Sequence, residues 1–182
     1  MSQIKIIIRR FIAYGIDWYI GGLMINLPIV LIYGCVFNQT QMQTNLLVIG
    51  ENNIIVALLS GIFGVIFGIF YFFIIPLRLW PGQTLGKRIL KMKIIQNDTQ
   101  EISFKNLFLR QIIGITIFEG VVFSLTTTLR QFLDLILTTD IFTSDPVMIF
   151  GYLITFISCL LVVFKGRALH DFIGATKIEY LQ

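Results

Sequence analysis

Two carboxylates stand where carboxylates are expensive. Asp17 lies inside an apolar stretch over residues 11–37, and Glu119 inside another over residues 112–129. Placing such a group within a bilayer costs about 2.5–3.5 kcal/mol on insertion scales. The usual resolution is to face the protein interior and find a partner. At about 1.5 Å of helix rise per residue, Asp17 lies roughly 9 Å into its stretch and Glu119 roughly 10 Å into its own. If both helices start from one membrane face, the two groups share a depth. Carboxylates that meet can share a proton, which raises one pKa. They can also ligate a cation with help from hydroxyl and amide oxygens such as those of Thr116 and Asn26. The alternative is separate satisfaction, with Asp17 bonded to Tyr14, Tyr19 or an arginine and Glu119 snorkelled or protonated.

The elements that must position them follow from hydropathy. Of 182 residues, 56% are hydrophobic and only 13% charged, with a mean hydropathy of +0.85. A soluble domain carries about 25% charged residues, so too little polar surface remains to coat a globule. Four stretches suit spans, which need roughly 20 apolar residues: residues 11–37, 54–75, 112–129 and 147–164. The 14 basic residues are distributed unevenly. Three precede the first stretch, none falls between the first and second, and seven occupy 76–111; Arg130 follows the third, and three follow the fourth. The positive-inside rule then places both termini and the central loop 76–111 in the cytoplasm. The expectation is an all-α membrane protein: a single domain over 1–182, four transmembrane helices and short interfacial helices. The basic start resembles a signal peptide. However, its apolar run is long, contains Asp17 and lacks a small-residue cleavage site, so it reads as an uncleaved first helix.

Within this frame Asp17 has neighbours that admit a partner. Ala13 and Gly21, one turn to either side, leave room for another helix, and Arg10 lies two turns below. Ala57/Gly61 and Gly64/Gly68 are small-xxx-small pairs that suit close helix packing. After Pro81-Gly82, a turn signal, the residues Leu85, Ile89 and Met92 predict an interfacial helix. Lys93–Ile95 and Ile102–Phe104, flanking a turn-like 96–100, predict a small hairpin. Residues 130–146 read as an outside loop holding a short surface helix. Cys35 and Cys159 fall near opposite faces, which forbids a disulfide.

Other chemistry is poorly supported. One histidine, His170, makes no histidine-rich metal site, and neither cysteine has metal-ligand spacing. Gly82-Gln83-Thr84-Leu85-Gly86-Lys87-Arg88 fails the phosphate-loop pattern. No nucleophile–base set is readable, so neither an enzyme nor a cofactor is expected. No nucleic-acid-binding module is visible either.

Three segments, in order, carry a resemblance. They are Arg9-Arg10-Phe11-Ile12-Ala13-Tyr14-Gly15-Ile16-Asp17, Pro81-Gly82-Gln83-Thr84-Leu85-Gly86-Lys87-Arg88-Ile89-Leu90, and Leu169-His170-Asp171-Phe172-Ile173-Gly174-Ala175-Thr176. Together they resemble the RDD family of bacterial polytopic membrane proteins, named for an arginine and two aspartates. The resemblance assigns the arginine to Arg10 (or Arg9, one residue away), and the aspartates to Asp17 and Asp171. The ending Gly174-Ala175-Thr176 departs from the commoner Ala-Gly-Thr, a change expected to matter little. The resemblance implies transport of unidentified ligands, with sodium–proton exchange linked to some members.

These readings combine into expectations. Arg9, Arg10, Arg88, His170 and Asp171 fall in one cytoplasmic layer, where Asp171 is expected to pair with Arg10 or Arg88 and pin the tail under the bundle. Asp17 and Glu119 are the candidate proton or cation path of a small carrier in the cell membrane. The competing expectation is a non-catalytic membrane subunit or scaffold that binds a partner protein or lipid. The expected partners are the bilayer with its anionic headgroups, and a second copy or a larger membrane complex.

Overall fold

The computed structural model describes residues 3–98 and 101–181. The chain is mostly helical. Helix α1 (Gln3–Phe37) runs the length of the bundle and contains Pro28 without ending there. Short α2 (Leu46–Asn52) follows, and then α3 (Ile54–Ile69), whose N-terminus is capped by Asn53 Oδ1 accepting from the Ile55 and Val56 N–H groups. α3 continues as a π-helical segment, Phe70–Leu79, around Pro76. Next come α4 (Leu85–Ile89), strand β1 (Met92–Gln96) and α5 (Phe104–Phe108), which continues as a second π-helical segment, Leu109–Glu119. A 3-10 turn, Gly120–Val122, leads to α6 (Ser124–Leu137). The fold closes with α7 (Asp145–Lys165), α8 (Leu169–Ile173) and strand β2 (Thr176–Tyr180).

Among the described residues, three helices are long and apolar enough to cross a membrane: Ile4–Phe37, Ile54–Leu79 and Asp145–Lys165. A fourth crossing exists if the pair Phe104–Glu119 and Ser124–Leu137, bent by 70°, counts as one span. The third expected span, 112–129, is therefore broken, and its second half runs on past 129 through Leu137, joining the short helix expected within 130–146. The physical reason lies at 119–124. Gly120 carries no side chain, β-branched Val121 and Val122 favour helix weakly, and hydroxyl side chains satisfy the backbone the break frees. Thr126 Oγ1 donates to the Thr116 carbonyl at 3.2 Å and Thr155 Oγ1 to the Glu119 carbonyl at 2.6 Å.

The core forms where α1, α3 and α6 cross. Ile25, Ile29, Ala57, Phe72, Phe123 and Leu125 are buried together. Glycine makes the approach possible: a Cβ at Gly64 would stand 3.2 Å from the Ile25 carbonyl oxygen, and one at Gly68 2.7 Å from Leu125 Cδ1. Outward faces stay apolar and exposed, as a bilayer requires. On α7 these include Phe150, Leu153, Phe156 and Phe164.

One end of the bundle carries a small polar layer built from α4, β1, α5, α8 and β2. The expected hairpin between 93–95 and 102–104 does not form. Instead β1 pairs antiparallel with the C-terminal β2, Met92 opposite Tyr180 and Gln96 opposite Thr176, while Phe104 opens α5. Local proximity lost to a better buried partner: Met92 and Ile94 are fully buried in this pairing. Thr99 and Gln100, in the expected turn, lie outside the described residues. The expected helix through Met92 is also shorter, since it ends at Ile89 and Lys91 turns the chain at φ +52°. Cys35 and Cys159 are free and exposed.

Candidate functional site

Asp17 is closed off from all sides. Its side chain points from α1 into the loop that follows the second span. The turn there depends on Gly82 (φ +76°), whose N–H donates to the Pro76 carbonyl at 2.7 Å and whose carbonyl accepts from Ile94 N–H at 2.7 Å. The turned loop delivers three donors to Asp17: Thr84 Oγ1 at 2.5 Å, the Gly86 N–H at 2.8 Å and Lys87 Nζ at 3.0 Å. Tyr71 Oη, from the π-helical end of the second span, adds a fourth at 3.0 Å. A Cβ on Gly86 would press against the Ala13 carbonyl and stand 2.9 Å from Asp17 Oδ1, so only glycine fits. The loop offers an amide, a hydroxyl and an ammonium, the chemistry of an anion cradle, and the protein's own carboxylate fills it.

Asp171 forms a second closed knot. It is fully buried on α8. Arg10 Nη2 donates to Oδ2 at 2.7 Å, the Ala168 N–H to Oδ2 at 3.0 Å, and Arg110 Nη1 to Oδ1. Arg110 also reaches Thr176 Oγ1 at 2.8 Å, tying the root of β2 to the same knot. Burial alone would raise the Asp171 pKa. The charges of Arg110, His170 and Arg10, with the Ala168 N–H, outweigh it and hold the carboxyl well below the usual carboxylate range.

Glu119 sits at the break in the third span, and one residue serves both its oxygens. The His170 N–H donates to Oε1 at 2.6 Å, and His170 Nδ1 lies 2.7 Å from Oε2. Gly114 admits the histidine, since a Cβ there would stand 2.7 Å from His170 Cβ. The opposite ring nitrogen, Nε2, is 3.7 Å from Asp171 Oδ1. The imidazole therefore bridges the carboxylate at the break and the tail knot.

A polar stripe continues from this pair along α7. Ser158 Oγ accepts from the Leu169 N–H, Thr155 touches the Glu119 carbonyl, Gly151 packs on Val121, and Met148 Sδ accepts from Arg130. Positions 148, 151, 155 and 158 fall at helical spacing, so they share one face. That face meets the broken span, and the exposed side of α7 carries Phe150, Leu153, Phe156 and Phe164.

The family model of the RDD family matches residues 6–175. The chain belongs to the RDD family. No curated protein and no solved structure matches it. In this RDD chain, the arginine and two aspartates assigned by resemblance are split between two knots: Asp17 in one, Arg10 and Asp171 in the other.

Among the described residues, Asp17 and Glu119, weighed as one shared site, have no partner in common. Of the basic residues weighed for Asp171, Arg10 makes contact, while Arg88 stacks over the Trp80 ring at 4.4 Å. Arg9 donates to the Leu90 carbonyl and lies 5.5 Å from the Tyr180 ring centre. Neither Tyr14 nor Tyr19 is bonded to Asp17; Tyr71 is. Sequence reasoning missed Arg110, which is 2% exposed. Its signal was a small and polar face, Asn106, Arg110 and Gly114 at four-residue spacing. The Gly174-Ala175 departure also has a structural consequence. A Cβ at Gly174 would stand 2.7 Å from Arg110 Cβ, so this chain needs glycine there. Ala175 then takes the left-handed conformation at φ +49°, which costs an alanine roughly 1 kcal/mol.

Proposed function

We propose that this RDD-family protein is a non-enzymatic carrier of the cell membrane, moving a small ligand or cation with proton coupling. Both termini and the loop 76–111 face the cytoplasm in this reading, following the basic-residue asymmetry. One observation carries it: Glu119 occupies a helix break inside the bundle and is held by a single histidine. Transporter sites are typically formed by discontinuous helices whose broken backbone lines the site. Histidine is the side chain whose ordinary charge change lies nearest neutral pH, so a carboxylate–imidazole pair suits proton exchange with the cytoplasm. The stripe of Ser158, Thr155 and Gly151 extends polar groups from that pair toward the other membrane face. Asp17, saturated by four donors, serves as a brace in this scheme and leaves the proton-carrying role to Glu119 and His170.

The test is proton flux in proteoliposomes under imposed sodium or potassium gradients. Wild type is expected to show cation-dependent flux, and Glu119→Gln and His170→Gln to lose about tenfold or more, the usual scale for removing a proton-transfer group. Equal flux in wild type and Glu119→Gln would exclude the role. A second reading, a membrane subunit, is favoured by the thin attachment of α7, where only Gly151 and Ser158 are buried. Purification in gentle detergent distinguishes it through a stoichiometric second protein or a stable homo-oligomer without flux.

A further inference from the structure

Arg130 is the exception in the basic-residue pattern. The other 13 basic residues precede the first stretch, follow the fourth, or lie in 76–111, whereas Arg130 stands on α6 near the opposite end of the bundle. Its depth follows from its neighbours. It bonds Met148, the fourth residue of α7, and its Nη2 would stand 3.4 Å from a Cβ on Gly151. Six residues separate Gly151 from the start of α7, which is roughly 9 Å below the helix end.

A guanidinium carries five donors. Among the described residues, the bond recorded for this one is to Met148 Sδ at 3.0 Å, and thioether sulfur is a weak acceptor. None of the ion pairs among the described residues includes it. The natural acid, Asp134, is one turn along the same helix, where an i,i+4 pair would form. It is already consumed. Asp134 Oδ1 accepts from Thr139 Oγ1 and the Phe142 N–H, and Oδ2 from the Thr143 N–H and Oγ1. The loop after α6 thus withdraws the carboxylate that would have neutralised Arg130. Val121 fills the space over Gly151 on α7, and the guanidinium lies at its edge with Tyr152 as the neighbouring hydroxyl group. The result is a half-buried, under-bonded planar cation between α6 and α7. An intramembrane cation of this kind calls for an anion, and a guanidinium fork matches phosphate oxygens.

We propose that Arg130 is the cationic anchor of a site for a phosphate-bearing anion, entered between α6 and α7 at the end of the bundle opposite the tail layer. The site needs no transport and stands apart from the carrier reading. Its occupant is either a phospholipid headgroup or soluble phosphate, and one experiment separates them.

The full-length protein is reconstituted into vesicles with a phosphatidylglycerol bearing a photoreactive group on its headgroup, and crosslinks are mapped by peptide mass spectrometry. Labelling is expected within 145–155, falling about tenfold in Arg130→Gln, in line with the strength of charge-assisted hydrogen bonds. Arg130→Lys, which keeps the charge, is expected to retain part of it. Protection by millimolar inorganic phosphate identifies a soluble anion, and unchanged labelling identifies the lipid. Wild-type labelling in Arg130→Gln overturns the proposal. Should that variant fail to insert, wild type labelled with a diacylglycerol carrying the same photoreactive group decides. Equal labelling without the phosphate also overturns it.

Discussion

The two carboxylates set within the apolar stretches differ in how many elements hold them. Asp17 draws its four hydrogen bonds from Tyr71, Thr84, Gly86 and Lys87, two on each oxygen. Those donors come from the second span and from the loop behind it, so the carboxylate joins three stretches of chain. Glu119 draws both its bonds from His170. A group tied to several elements moves only if the fold opens. A group tied to one short helix is released when that helix shifts. The same costly residue type therefore serves as a rivet at one position and as a movable contact at the other.

The largest expected effect breaks the rivet. Asp17→Asn keeps the shape but removes the charge that faces Lys87, and in either orientation it turns an amide NH2 toward a group that only donates, the Gly86 N–H or the Lys87 ammonium. Removing one partner of a buried pair costs about 3–5 kcal/mol, read as a fall in Tm or in yield of folded protein in detergent. Gly86→Ala attacks the same place from the other side, pressing a methyl group onto the Ala13 carbonyl, and overpacking of this kind costs about 1–3 kcal/mol. A Tm for Asp17→Asn within a degree or two of wild type would remove the distinction between rivet and contact.

Acid should work on the second knot. The Asp171 carboxyl is held below its ordinary range in the folded protein, so its contribution is fully present above the unfolded pKa of about 3.9. It is lost as pH falls through and below that value. Stability should stay level from pH 7 to about 5 and decline below about 4, by an amount on the order of 2 kcal/mol. An Asp171→Asn variant, already without that charge, should show a flatter acid limb. The same decline in both would separate Asp171 from the acid transition.

How much of this was readable beforehand varies by the range of the interaction. The apolar stretches follow from local composition, and Asp17 and Asp171 were identifiable through their motif context. Their partners were not, because Thr84 is 67 positions from Asp17 and Arg110 is 61 from Asp171. The break at 120–123 was not read from hydropathy, because apolar residues run up to it and into it, Ile115, Ile117 and Phe118 and then Val121–Phe123. The cue was chemical: a carboxylate and a glycine followed within eight residues by Ser124, Thr126, Thr127 and Thr128, side chains that can satisfy exposed backbone. The strand partner of β1 was misjudged because a nearby run, 102–104, competes on paper with a tail 80 residues further along. Burial of Met92 and Ile94, a tertiary property, decided between them.

The smallest stability effect carries the most functional weight. Glu119→Gln retains an oxygen to accept the His170 N–H and turns its NH2 toward Nδ1, which a neutral imidazole can meet as an acceptor, so the loss is on the scale of one charge-assisted bond, about 1 kcal/mol. His170→Gln likewise keeps the backbone bond to Oε1. Both variants should therefore fold and insert at close to wild-type levels, with Tm shifts well under those of Asp17→Asn. Their proton flux, by contrast, should collapse, because the imidazole and carboxylate are the pair that would exchange the proton. This opposition between a small change in Tm and a large change in flux is what a rivet cannot produce, since a rivet loses function only by losing the fold. If Glu119→Gln instead lost stability as severely as Asp17→Asn and lost flux only in proportion, Glu119 would be a second brace, and the break at 120–123 would be an architectural corner.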